Sequence, residues 1–133
     1  MKKIILLMVV CLCYSCQQPD VLRHITGDYF LIAADVEEQL TLSCQLTSGS
    51  TYSHIIESTV FAIGYDENYI IAKQHPKDLI DITNYFILPI KNVAVDTVEK
   101  GLIGPLTLQE FEQKRKELNL EQLKFTIVYK DLE

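Results

Sequence analysis

The chain has 133 residues, 12 of them basic and 18 acidic, for a formal charge of −6. That length supplies one domain with a single core. The acidic balance repels phosphate backbones, and no basic stripe with interleaved aromatics runs through the sequence, so nucleic acid is excluded as a partner.

Residues 1–15 have the layout of a secretory leader: a positive head at Lys2 and Lys3, then an apolar run from Ile4 to Cys13. A helix of that length reaches only about 15 Å, against about 30 Å for a bilayer core, so the run is a cleaved signal and not a span. Among the nearby cysteines, Cys11 follows Val10 and Cys13 follows Leu12, both bulky, whereas Cys16 follows the small Ser15. The window Leu12-Cys13-Tyr14-Ser15-Cys16 resembles a lipobox, in the looser form found in Bacteroidetes-type bacteria. The resemblance implies a diacylglyceryl thioether on Cys16 and a membrane anchor, since each buried methylene contributes about 0.8 kcal/mol. The alternative is a plain secreted protein cleaved nearby. Gln17-Gln18-Pro19-Asp20 lacks the dense acidic run that resembles a surface-export tag, which favours the outer membrane, facing the periplasm.

Cleavage before Cys16 leaves ten basic residues against eighteen acidic, a charge of −8. Cys44 is then the one thiol not lipidated, so no intrachain disulfide forms. Residues 16–26 read as a tether, polar and proline-containing from Gln17 to about Arg23, and residues 27–133 as a single β-rich domain.

Within that domain, Asp28 to Ala33 is an apolar, aromatic strand, and Ala34 to Glu38 an acidic turn. Gln39 to Leu46 alternates, placing Leu40, Leu42, Cys44 and Leu46 on a buried face where Cys44 acts as a small hydrophobe. Thr47 to Ser50 is a turn. The clearest hairpin follows: Ser58 to Tyr65 puts Thr59, Phe61, Ile63 and Tyr65 on one face, Asp66-Glu67-Asn68 turns, and Tyr69 to Gln74 returns. Pro76 stops that strand. Further strands are expected from Asn84 or Tyr85 to Ile90 and, more weakly, from Val93 to Val98.

One helix begins after Gly104-Pro105. Thr107 and Glu110 have capping-box spacing, Leu106 and Phe111 occupy the staple positions, and Lys114, Arg115 and Lys116 complement the dipole near the C-terminal end. Leu108, Phe111 and Leu118 can share the face that packs on a sheet. Leu123, Phe125, Ile127 and Tyr129 alternate in a final strand. The sum is an α+β fold: mostly antiparallel sheet built of hairpins, with one α-helix in the C-terminal half packed on it.

Chemistry-bearing residues are few. His24, His54 and His75 are not spaced as a metal pair, and no CxxC, HExxH or G-x-S-x-G occurs, so neither metal nor cofactor is expected. His54 and Glu57 form an H-x-x-E pair at a strand edge, where that spacing sends side chains to opposite faces. Lys73, His75 and Asp78 gather polar groups beside Pro76 and could do acid–base work or bind an anion, against the plainer reading of a solvated turn. Tyr65, Tyr69 and Tyr85 suit either a recognition surface or cross-strand packing. Gly101 and Gly104 read as the lead into the helix cap.

The stretch Gly64 to Pro76, with its D-x-x-Y-I-I-A-K-Q core, then Tyr85-Phe86-Ile87 and Gly104-Pro105-Leu106 before a charged helix, resembles small bacterial lipoproteins catalogued only as a domain of unknown function. The likeness runs from about Gly27 to Leu118. It implies an envelope lipoprotein and brings no activity, substrate or site residues. The favoured function is a non-enzymatic, membrane-anchored protein-binding module, with a basic partner suited to the acidic body. The alternative is a small envelope enzyme or ligand-binding protein using Lys73, His75 and Asp78.

Overall fold

The computed structural model describes residues 21–46, 51–77, 79–90 and 101–133. The leader, Cys16, the turn at Thr47 to Ser50, Asp78 and the expected strand from Val93 to Val98 lie outside these residues. Among the described residues, nine strands form two antiparallel sheets and one α-helix lies in the C-terminal half, as the fold class read from the sequence requires.

The first sheet is a meander of β1 (Val21–Thr26), β2 (Tyr29–Ala33), β3 (Thr41–Gln45) and β4 (Tyr52–Ile56), in that order. The tether therefore ends earlier than the sequence reading placed it. Residues 21–26 pair with β2, from Val21 opposite Ala33 to Thr26 opposite Tyr29. Ile25 is the reason: it is buried in the core, so this stretch gains more as an edge strand than as solvated chain. The β4 strand escaped the sequence reading because its apolar residues sit together at Ile55-Ile56 and do not alternate.

The second sheet has the order β8 (Ile103–Leu106), β7 (Asn84–Pro89), β6 (Tyr69–Gln74), β5 (Val60–Tyr65), β9 (Ile127–Val128). The β5–β6 hairpin turns through Asp66, whose carboxylate accepts from the backbone N–H of Asn68 and Tyr69, both at 2.8 Å. A register shift between Val60 and Ala62 interrupts the simple alternation expected for β5. Val60 and Ile63 consequently both enter the core between the sheets. The final strand is cut to Ile127–Val128, paired with Ile63 and Ala62. Gly104 and Pro105 lie inside edge strand β8, where the missing proline N–H costs no ladder bond, and not ahead of the helix as a lead-in. A Cβ at Gly104, whose φ is +139°, would meet the Phe86 ring at 2.5 Å, so only glycine fits.

Two cores result. Leu31 and Leu42 of the first sheet, with Leu40 just before β3, pack with Val60, Ile63, Ile70 and Leu88 of the second, all essentially inaccessible. The opposite face of the second sheet carries Ile71 and Ile87, covered by Phe111 and Leu120. Successive residues of β6 thus serve opposite cores, which explains the unbroken apolar run there.

The helix α1 (Leu108–Glu117) has the full capping box: Glu110 N–H donates to Thr107 Oγ1 at 3.2 Å, and Thr107 N–H donates to Glu110 Oε2 at 2.8 Å. Its buried residues are Phe111 and Arg115, four apart, while Leu108 is 55% exposed and does not join the packed face. The first turn follows directly from edge strand β8, and the sheet beneath it runs out there.

Candidate functional site

Lys73 and His75, grouped together in the sequence reading, make separate sets of contacts. The Lys73 ammonium, from β6, sits 4.9 Å from the Phe125 ring centroid and 5.9 Å from that of Tyr85. Tyr85 in turn stacks on Phe111 at 4.9 Å. Lys73 is held as a cation between aromatic faces, with its stem on apolar surface.

His75 lies where the two sheets meet. The Thr59 and His75 backbones exchange N–H···O bonds of 2.9 Å, and Val60 N–H donates to the Leu40 carbonyl at 2.8 Å. The Thr59 hydroxyl donates to the Glu38 carbonyl, and Gln74 Nε2 donates to the Glu57 carbonyl at 2.8 Å. In this corner His75 is buried and stacks on Phe61 at 4.2 Å. Its Nδ1 lies 2.8 Å from the Ile82 carbonyl, an arrangement that needs the proton on Nδ1, and Nε2 is buried with no hydrogen-bond partner among the described residues. A ring fixed in this way pins the turn after Pro76 to the corner.

Tyr65 is 41% exposed at the tip of the β5–β6 hairpin, at the far end of the molecule from His75, while Tyr69 packs into the helix-side core. Asp78 and Cys16 fall outside the described residues.

The feature with the geometry of a recognition surface is one that the sequence reading missed: the outer face of the first sheet. Across β1, β2 and β4 run His24, Phe30 and Tyr52, edge-to-face at 5.0 Å and 5.3 Å. Beneath them the Ser43 and Thr41 hydroxyls are buried and bonded to each other at 2.9 Å. Beside this row lies a groove of about 300 Å³ lined by Ile32, Ala34, Gln39, Thr41, His54, Glu57 and Ser58. His54 Nδ1 and Glu57 Oε2 stand 3.6 Å apart at its rim, both exposed. Contrary to the opposite-face expectation, the pair meets because β4 ends at Ile56 and the chain turns the corner before Glu57. Such a surface offers ring faces, hydroxyls and one imidazole–carboxylate pair, which suit reversible contact with another surface. Among the described residues, no three His, Cys, Asp or Glu side chains converge as metal ligands.

Three further buried side chains shape the body. Tyr29 and Cys44 face each other across β2 and β3. Burial, then the neighbouring Cys44 and Asp28, push the Tyr29 phenol up to about 12, and burial raises the Cys44 thiol as well. On the helix side, buried Arg115 donates to the carbonyls of Leu120, Glu121 and Leu123, and pairs with Glu112 at 3.0 Å.

Fold and site together define a small antiparallel α+β domain, two sheets deep, with the helix α1 over one face and an open, aromatic-lined face on the other sheet. The chain belongs to DUF3997, a family of proteins of unknown function, whose model matches residues 26–132. No curated protein and no solved structure gives a significant match.

Proposed function

We propose that this protein is an envelope lipoprotein, anchored through Cys16, whose body is a non-enzymatic module for binding another protein. One observation carries the reading: a positive head, an apolar run too short to span and a Ser15-Cys16 junction stand just five residues before β1 begins at Val21. A compact domain so close to a lipidation site is presented at a membrane surface, facing the periplasm at the outer membrane. The body's charge of −8 favours a basic partner through steering, and the His24–Phe30–Tyr52 face with its adjoining groove offers the contact.

The rival reading, an enzyme or ligand-binding protein built on Lys73, His75 and Asp78, loses support from the separate packing roles of Lys73 and His75. The two are distinguished in cells. Labelled palmitate is expected to enter the wild-type chain and not Cys16→Ala, which also leaves the membrane fraction. Phe30→Ser with Tyr52→Ser is expected to abolish capture of a reproducible envelope partner, while Lys73→Met retains it. Failure of labelling removes the anchor. Loss of cellular function in a normally folded Lys73→Met protein, with the sheet-face variant unaffected, would favour the rival.

A further inference from the structure

We propose that the turn Leu79–Ile82 dips into the lipid surface on which the protein is anchored, fixing the orientation of the body. The proposal rests on the anchoring at Cys16 put forward above.

Leu79, Ile80 and Ile82 are 52%, 72% and 47% exposed, three of four consecutive residues on a connection that solvent would ordinarily make polar. The turn is held in place. Leu79 N–H donates to the Pro76 carbonyl at 2.9 Å, Ile82 N–H to the Leu79 carbonyl at 3.0 Å, and the Ile82 carbonyl is bonded to buried His75. The backbone that carries these exposed side chains is thus tied to the corner of the molecule.

Their position relative to the anchor follows from strand register. Val21, the first residue of β1, lies opposite Ala33 at the end of β2, and Ile32 lies opposite Thr41 at the start of β3. Leu40, just before β3, accepts from Val60 at the start of β5, and Thr59 pairs with His75, which leads into the turn. The start of β1 and the apolar turn therefore occupy the same end of the molecule. Leu22 and Val36, also about half exposed, belong to that end. The five residues from Cys16 to Val21 reach at most about 18 Å, so this end is confined close to the bilayer.

Charge decides which lipid. Exposed Asp35, Glu37, Glu38 and Asp81 outnumber Arg23 and Lys77 at this end, which disfavours attraction to anionic headgroups. The contact is apolar insertion at the level of the headgroup–acyl boundary, and a phosphatidylcholine surface suffices for it.

The chain contains no tryptophan, so a single reporter is unambiguous. The lipidated mature protein, beginning at Cys16, would carry either Ile80→Trp or, at the far end, Tyr65→Trp, and be reconstituted in excess phosphatidylcholine vesicles with fatty-acid incorporation measured on the same preparation. Expected are a blue-shifted emission and quenching by lipids brominated high on the acyl chain for Ile80→Trp, with neither for Tyr65→Trp. A lipidated protein whose Ile80→Trp reporter stays water-exposed and unquenched overturns the insertion and leaves the anchor standing. Quenching in a preparation that carries no lipid on Cys16 sinks the anchor and keeps the apolar contact. A reporter shielded only after an envelope protein is added assigns the patch to that protein and overturns the lipid contact.

Discussion

Replacing Arg115 by methionine keeps the length of the side chain and removes its fork of donors. In the native fold Nη2 reaches the carbonyls of Leu120, Glu121 and Leu123 at 3.1, 3.0 and 2.6 Å, and Nε adds a longer bond to Leu120. The residue is 8% exposed, so solvent cannot readily replace these bonds. Counting the shared set as two full charge-assisted bonds of about 1.5–2 kcal/mol gives a loss of ~3–4 kcal/mol. The exposed half of the Glu112 pair adds little. For a domain of this size that corresponds to a fall in melting temperature of roughly 12–15 °C. Urea unfolding followed by far-UV circular dichroism measures it, with an unchanged denaturant slope expected. Arg115→Lys keeps the charge without the planar fork and is expected to recover less than half of the loss. A methionine variant within about 1 kcal/mol of wild type would refute the idea that this guanidinium organises residues 118–123.

Other substitutions probe separate joints. Gly64→Ala drives a Cβ into the Lys124 carbonyl and Ile71, and the backbone cannot yield without breaking the Thr126 to Ile63 bond, so a loss of about 3 kcal/mol is expected in the same unfolding assay. Tyr29→Phe removes a buried hydroxyl that has no partner among the described residues; stability should stay level or rise by up to about 1 kcal/mol. The native state holds the Tyr29 and Cys44 protons more tightly than the unfolded chain does. Wild-type stability is therefore full below about pH 9 and falls as the pH rises, the Tyr29 contribution being lost between about 10 and 12 at up to about 1.4 kcal/mol per unit, with Cys44 adding to the decline in the same direction. Tyr29→Phe should flatten part of that decline in a pH series of melts; an undiminished slope contradicts the assignment. Thr107→Ala removes the hydroxyl half of the capping box and should cost about 1 kcal/mol, read by thermal melting.

Much of the second sheet could be read directly from the chain, because its signals are local. Tyr69 to Gln74 and Asn84 to Pro89 are dense in β-branched and aromatic residues, Asp66 closes its turn within three residues, and the Thr107–Glu110 box is a contact between near neighbours. The candidate surface was opaque for the opposite reason. His24 and Phe30 meet across the β1–β2 hairpin, but Tyr52, more than twenty residues further on, joins their row only through the registers of β2, β3 and β4. Arg115 looked like one of three dipole-complementing cations, since its carbonyl partners lie in a loop whose path is set by tertiary packing.

Hydrophobic periodicity, turn chemistry and capping thus determined the class of fold, the site of the helix and the burial of Cys44, all governed by interactions spanning a few residues. Which faces meet was decided only in three dimensions. The bulge in β5 sent both Val60 and Ile63 inward, the corner at Thr59 joined two sheets around His75, and Lys73 came to lie against two aromatic rings. Those outcomes depend on long-range register and on competition for buried volume, quantities that no local stretch of sequence contains.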